Sequence, residues 1–340
     1  MKRLLLAGLV CALGGCDCSG TEPATEPEQE TPEPPPEDTT DESPHPEEPR
    51  GEPPLGTVVS GWDRGRELQT ELLEVAPDAE PLVIDLRDGA RLTLDPGSRA
   101  ALGEEAPAQV FLAEGAIHAQ LPPMGGSSRP TLRLGTPAGT LALEGSGETY
   151  LVVAPDGRVL YAQLAGMGRV YDGELDDEGR PSVISLRPGS SLVGGASDPT
   201  EGVGQVGAAR GLRSGFEEAG ATELPDGSVQ PKIEWLNAFA ESVEEERTRG
   251  QEIQRQRVLA SQAGNTERGA ELQRELIAHS QVVSRQRAAL RARWERVRSL
   301  ALLVGAEPDP SEAVRGQVRR LLGLEIPSVE PPEPTEAPQN

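Results

Sequence analysis

Leu82-Val83-Ile84-Asp85-Leu86-Arg87-Asp88-Gly89-Ala90-Arg91-Leu92-Thr93-Leu94-Asp95-Pro96-Gly97 decides the fold class. Leu82, Ile84 and Leu86 alternate with Val83, Asp85 and Arg87, the period of a strand with one buried face. Asp88-Gly89 is a turn signal, and Arg91 to Leu94 alternates again before Asp95-Pro96-Gly97 turns the chain once more. The pattern continues outward: Val110 to Leu112, a turn at Glu114-Gly115, Ala116 to Ala119, Leu132 and Leu134, Leu141 and Leu143, Tyr150 to Val153, Val159 to Leu164, and Val183 to Leu186. Turns every eight to twelve residues with no strand–helix alternation predict an all-β domain over 55–195, antiparallel and built as a sandwich or roll. That length suffices for one hydrophobic core.

Several of these elements, in order, resemble FecR-type periplasmic domains. The stretch Leu82 to Ser98 resembles the family's strand, Asp-Gly turn, strand and Pro-Gly-Ser turn, and Val110-Phe111-Leu112-Ala113-Glu114-Gly115 its next element. Leu134-Gly135-Thr136-Pro137-Ala138-Gly139-Thr140 resembles its Thr-Pro-Ala-Gly element. Gly157-Arg158-Val159 and Leu186-Arg187-Pro188-Gly189 follow in the family's order. The resemblance implies an all-β domain outside the inner membrane, used in the best-known members to pass a transporter's signal toward a sigma factor. Those members carry a transmembrane helix ahead of the domain, which this chain lacks in sequence, and Gly145-Ser146-Gly147-Glu148-Thr149 departs from the family's Gly-Thr-aromatic pattern. Protein or glycan contact in the envelope is what carries over.

Past a Gly-rich connector (196–230) the composition shifts to Glu, Arg, Gln and Ala. Leu276, Val283, Leu290 and Val297 recur every seven residues, the spacing of a coiled-coil stripe. Ile233 to Gln262 and Glu267 to Val304 read as two helices, with Gly264-Asn265-Thr266 ending one and capping the next. A helical hairpin is expected over 231–324 with a short third helix, Asp309 as its cap, Pro310 in its first turn and Gly323 at its end. The chain holds only three each of Trp, Tyr and Phe. Trp235, Phe239 and Trp294 fall in the two long helices, so they are candidate partner-binding residues. In an antiparallel hairpin they also meet as an internal aromatic cluster.

Catalytic and metal-binding patterns are poor. His45, His118 and His279 form no metal-spaced set. Ser127-Ser128 and Ser190-Ser191 lack a nucleophile elbow, Gly145-x-Gly147 precedes no helix, and Asp176-Asp177-Glu178 fits a solvated hairpin tip better than a calcium loop. No enzyme activity and no cofactor is expected. The formal charge of −24 disfavours nucleic acid, whose phosphates it repels.

The N-terminus places Lys2-Arg3 before an apolar run from Leu4 to Leu13, too short to span a bilayer, then Gly14-Gly15-Cys16. Leu13-Gly14-Gly15-Cys16 resembles the lipobox of bacterial lipoproteins. That implies removal of residues 1–15 as a signal peptide and acyl chains, palmitate among them, on Cys16. Asp17 resembles an inner-membrane retention signal of enteric bacteria; only two lysines against thirty arginines suggest a GC-rich genome where that rule need not hold. Inner and outer membrane both stay open. Residues 16–54 form an expected disordered tether, with eleven prolines and twelve acidic residues from Thr21 to Pro54 and Ala24 as its only aliphatic side chain. Residues 325–340 share that composition.

The expected protein is thus a cell-envelope lipoprotein, anchored by its lipid and facing the periplasm, whose β-domain and hairpin bind or scaffold an envelope protein or a second copy. A signalling accessory sensing a transporter or ligand is the second expectation, a glycan-acting enzyme the third.

Overall fold

The computed structural model describes residues 53–103, 109–123, 131–194, 199–201 and 204–322. The expected signal peptide, the expected lipobox with Cys16, the expected tether up to Glu52 and the C-terminal residues from Gly323 lie outside them. The strands run β1 Gly56–Ser60, β2 Glu67–Leu68, β3 Leu72–Glu74, β4 Leu82–Leu86, β5 Arg91–Leu94, β6 Arg99–Gly103, β7 Gln109–Leu121, β8 Thr131–Thr136, β9 Gly139–Val153, β10 Val159–Leu175, β11 Pro181–Leu186, β12 Ser190–Val193 and β13 Thr200–Glu201. The helices are α1 Val206–Ala219, α2 Gln230–Gln262, α3 Thr266–Leu303 and α4 Glu312–Gln317, the last continued by a π-helical turn, Val318–Leu322.

All thirteen strands join one hydrogen-bonded sheet. The expected turns at Asp88-Gly89 and Pro96-Gly97 are present, and β4 pairs antiparallel with β5 between Leu82 and Leu94. Two expectations are corrected. First, the sheet is mixed, because β7 and β8 pair in parallel through Val110 and Leu134. Second, Glu114-Gly115 does not separate two strands. β7 runs through it, β9 likewise joins Leu141 and Leu143 to Tyr150–Val153, and β10 continues past the expected Leu164 to Leu175.

These three long strands bend at residues with positive φ: Gly115 at 82°, Gly145 at 82° and Gly166 at 68°. Each changes partner at its bend. Before Gly115, β7 pairs with β6; after it, with β5 and β9. Leu141 and Leu143 of β9 face β8, whereas Leu151 and Val153 belong to the part paired with β7. The sheet therefore folds back on itself at its glycines, where a bend costs least. At Gly115 the space is also full: an added Cβ would lie 2.6 Å from Ser98. The Ser98 hydroxyl holds the bend, donating to the Ala116 carbonyl at 2.8 Å and accepting from its N–H at 2.9 Å.

One core fills the fold between the two halves, with Leu82, Ile84, Leu92 and Leu94 meeting Leu112, Leu134, Leu141 and Leu151. Each such side chain contributes about 1.5–3 kcal/mol when buried. Tyr161 is fully buried and shares a hydrogen bond of 2.7 Å with Thr136. Tyr150, buried on the other face, donates to Asp95 at 2.7 Å. Burial, the main cause in each, raises both phenols well above their ordinary range; the Asp95 carboxylate reinforces the shift at Tyr150. The native state thus keeps two protons that the unfolded chain loses near pH 10, so stability falls as pH rises above about 10. Urea midpoints taken from pH 8 to 11 should stay level and then drop.

Helices cover both outer faces. The expected connector contains α1, which seats Ala209, Val206 and Phe216 on Ala116, Tyr150, Val152 and Leu160. Its anchor is Asp95, only 5 % exposed, which accepts from Arg210 at 2.8 and 3.2 Å while Arg213 donates to the Pro96 carbonyl at 2.8 Å. The turn aspartate of the opening motif is therefore the attachment point of a helix more than a hundred residues away.

α2 and α3 pack antiparallel, as the pairs Trp235–Arg293, His279–Glu246 and Arg257–Gln273 require. Asn265 caps α3, accepting from the Arg268 N–H at 3.0 Å, as expected. The cap of α4 is Ser311, which accepts from Val314, rather than Asp309. Asp309 instead accepts from Arg315 at 2.6 Å.

Candidate interaction surface

The proximal half of the hairpin lies on the sheet. Phe111 and Arg133 point outward from β7 and β8, and α3 meets them with Arg298 and Glu295. Arg298 stacks 4.4 Å from the Phe111 ring centre. Glu295 is fully buried and accepts from Arg133 at 2.9 and 2.7 Å, with Gln109 and Arg291 as further neighbours. A charged residue on a helix otherwise read as amphipathic is here the polar link between helix and sheet.

Trp235, Phe239 and Trp294 come together, as the antiparallel arrangement predicts. Arg293 lies between two of them, 4.1 Å from the Trp235 ring centre and 4.1 Å from that of Phe239. Its guanidinium donates to the Gly173 carbonyl at 2.7 Å, the Trp235 carbonyl at 3.2 Å and Glu174 at 3.1 Å. Burial is the first cause that pulls Arg293 below its ordinary value, with Glu174 opposing it. Phe239 and Trp294 are 7 % and 5 % exposed. Of the aromatic residues singled out for a partner, Phe239 and Trp294 thus pack inside, while Trp235 is half-buried beside Arg293 at the junction of the hairpin with the β10–β11 edge.

The distal half is different. Beyond Glu244 on α2 and before Arg285 on α3, only Ile253 and Leu272 among the apolar residues are buried. The arm so formed extends α2 by some eighteen residues, about 27 Å at 1.5 Å per residue. Its surface carries i,i+3 pairs such as Arg255–Glu252 and Arg268–Glu271, each worth only a few tenths of a kcal/mol. Val258, Leu259 and Ile277 are 43, 54 and 52 % exposed. A largely apolar groove of about 370 Å³ runs along one flank, with Val243, Gly250, Leu276 and Val283 as its floor and Arg247 and Gln254 at its rim.

Gly250 explains the groove's depth. A glycine in mid-helix costs about 1 kcal/mol relative to alanine, yet an added Cβ would sit 2.4 Å from the His279 ring. His279 fills that gap and its Nε2 lies 2.7 Å from the Glu246 carbonyl oxygen. Gly250→Ala should therefore speed amide exchange across the arm despite alanine's better helix propensity. The double change with His279→Ala should slow it again, and hydrogen-exchange mass spectrometry reads both.

Other residues weighed in the sequence fall as follows. His118 lies 2.8 Å from Glu148 across β7 and β9, with Gln120 beside it. Asp176 to Glu178 form the β10–β11 hairpin tip, where Asp176 accepts from the Arg180 N–H at 2.8 Å and its side chain at 2.7 Å. The Arg180 backbone N–H is the leading cause that holds Asp176 below its usual value. Ser190 donates to the Arg187 carbonyl inside a turn. His45, Ser127-Ser128, Cys16 and the lipobox residues Leu13, Gly14 and Gly15 lie outside the described residues. Among the described residues there is no cluster of three metal-ligating side chains and no helix long and apolar enough to cross a membrane.

Sequence reasoning missed Glu295, Asp95 and Gly250. Only Gly250 left a signal, as a glycine inside an otherwise uninterrupted helical pattern. Comparison with family models and with curated proteins gives no match.

Proposed function

We propose that this chain is a non-enzymatic, lipid-anchored protein of the bacterial envelope, with a FecR-type β-domain, whose projecting helical arm is the surface for an envelope protein partner. The arm carries the reading. A hairpin needed only to cover the sheet could end near Glu244 and Arg285, where its core contacts end, yet it continues for several turns with a groove and exposed Val258, Leu259 and Ile277. An exposed apolar surface on a polar two-helix arm is the usual form of a helix-recognising site. The seven-residue repeat supports coiled-coil-like packing at that contact.

The FecR resemblance is supported by where its motifs fall. Asp88-Gly89, Thr136 to Gly139 and Arg187-Pro188-Gly189 each connect paired or neighbouring strands, in line with the strand–turn–strand order the resemblance implies. The anchor rests on Leu13 to Cys16, and the Pro- and Glu-rich tether would hold the folded part away from the bilayer.

A photo-reactive residue at Ile277 of the full chain, irradiated in living cells, tests the arm. The expected result is one defined adduct with another envelope protein, absent when the same probe replaces Val183 on the β-domain. Adducts only between copies of this chain, or equal adducts from both positions, would overturn the reading.

A further inference from the structure

The groove has a direction. Ser311, just before α4, donates its N–H to the Asn237 side chain at 3.1 Å. Farther along, Gln317 bonds to Glu244, and Arg320 reaches the same carboxylate at 3.5 Å. The segment from Ser311 to Arg320 therefore runs alongside α2 toward the tip of the arm, with Val314 and Val318 buried against the hairpin. Gln317 also lines the groove's near end. The last described turn thus ends beside the groove.

The described chain stops at Leu322, and Gly323-Leu324-Glu325-Ile326-Pro327 follows in sequence. Four residues reach at most about 14 Å. The groove's α2 wall from Arg247 to Gln254 spans seven residues, about 10 Å. Leu324 and Ile326 are the only large apolar side chains in the sequence between Leu322 and Val329, two and four residues past the last described one, and the groove offers Leu276 and Val283 as apolar partners for them. None of the described residues lining the groove is acidic and Arg247 stands at the rim, while the Glu244 carboxylate at the near end is itself held by Arg247 and Gln317.

We propose that the groove on the arm is the docking site of the chain's own Leu324–Ile326 segment. Covered in this way, the apolar floor is withheld from solvent, and a partner helix that uses the groove must first displace the segment. That regulatory consequence rests on the arm being the partner surface; the docking itself does not.

The test places a photo-reactive residue at Gln254 in the full chain, followed by mass-spectrometric mapping of the C-terminal peptide. The expected result is an intramolecular adduct on Leu324 or Ile326. An adduct to a second copy, to other residues, or none would overturn the proposal. In the full chain carrying Leu324→Asp and Ile326→Asp, the adduct should disappear and amides of 250–257 and 276–283 should exchange at least tenfold faster, with the far-ultraviolet spectrum unchanged. Exchange rates equal to those of the unaltered chain would count against docking. Failure here leaves the Ile277 result standing, and failure at Ile277 leaves an adduct from Gln254 standing.

Discussion

Glu295→Ala is expected to destabilise the folded unit by about 3–5 kcal/mol, the range for removing one partner of a buried ion pair. The carboxylate is fully buried, and Arg133, with its side chain only 13 % exposed, would lose both of its hydrogen bonds to Glu295 within the sheet–helix interface. Gln109 and Arg291 would lose the same acceptor. For a domain of this size the loss corresponds to a fall in Tm on the order of 10 °C. Thermal unfolding of the soluble part checks it. Arg133→Met with Glu295→Leu should recover most of the loss, because apolar side chains of similar volume avoid the desolvation cost. A single variant within about 1 kcal/mol of the parent would mean that water reaches this interface.

Cys16→Ala is expected to move the protein from the membrane to the soluble fraction. Each acyl chain contributes about 0.8 kcal/mol per buried CH₂, and one chain alone binds only marginally. Two or more chains, as the lipobox resemblance implies, would hold the protein stably at the membrane, and the acidic, Pro-rich stretch that follows Cys16 would add no attraction to an anionic surface. Loss of the thiol removes the attachment point, so metabolic labelling with palmitate should vanish together with membrane retention. Continued retention of an unlabelled variant from which residues 1–15 have been removed would show that a partner, rather than lipid, holds the chain there.

Local patterns in the sequence were enough for the elements that local physics builds. Leu82 to Leu94 specifies a hairpin because alternation and an Asp-Gly turn act within a few residues of each other. The Gly264-Asn265 break and the seven-residue repeat likewise specify two antiparallel helices. The candidate arm was legible as a helix pair, though the residues chosen on it, Phe239 and Trp294, proved to be its buried base.

What only the tertiary structure decided is where these elements meet. Gly115 reads as a turn because a bend inside a strand and a turn between strands use the same residue; the pairing partners on each side distinguish them, and those are distant in sequence. Helix α1 is weakly patterned because it buries few side chains, and it is held by Asp95, which local reading assigns to a turn. Glu295 sits on a helix rich in charges, and nothing near it in sequence marks it from the rest. Its environment is created by Arg133 and Gln109, more than 150 residues away. A charge is costly or stabilising according to what surrounds it, and only the packed fold supplies those surroundings.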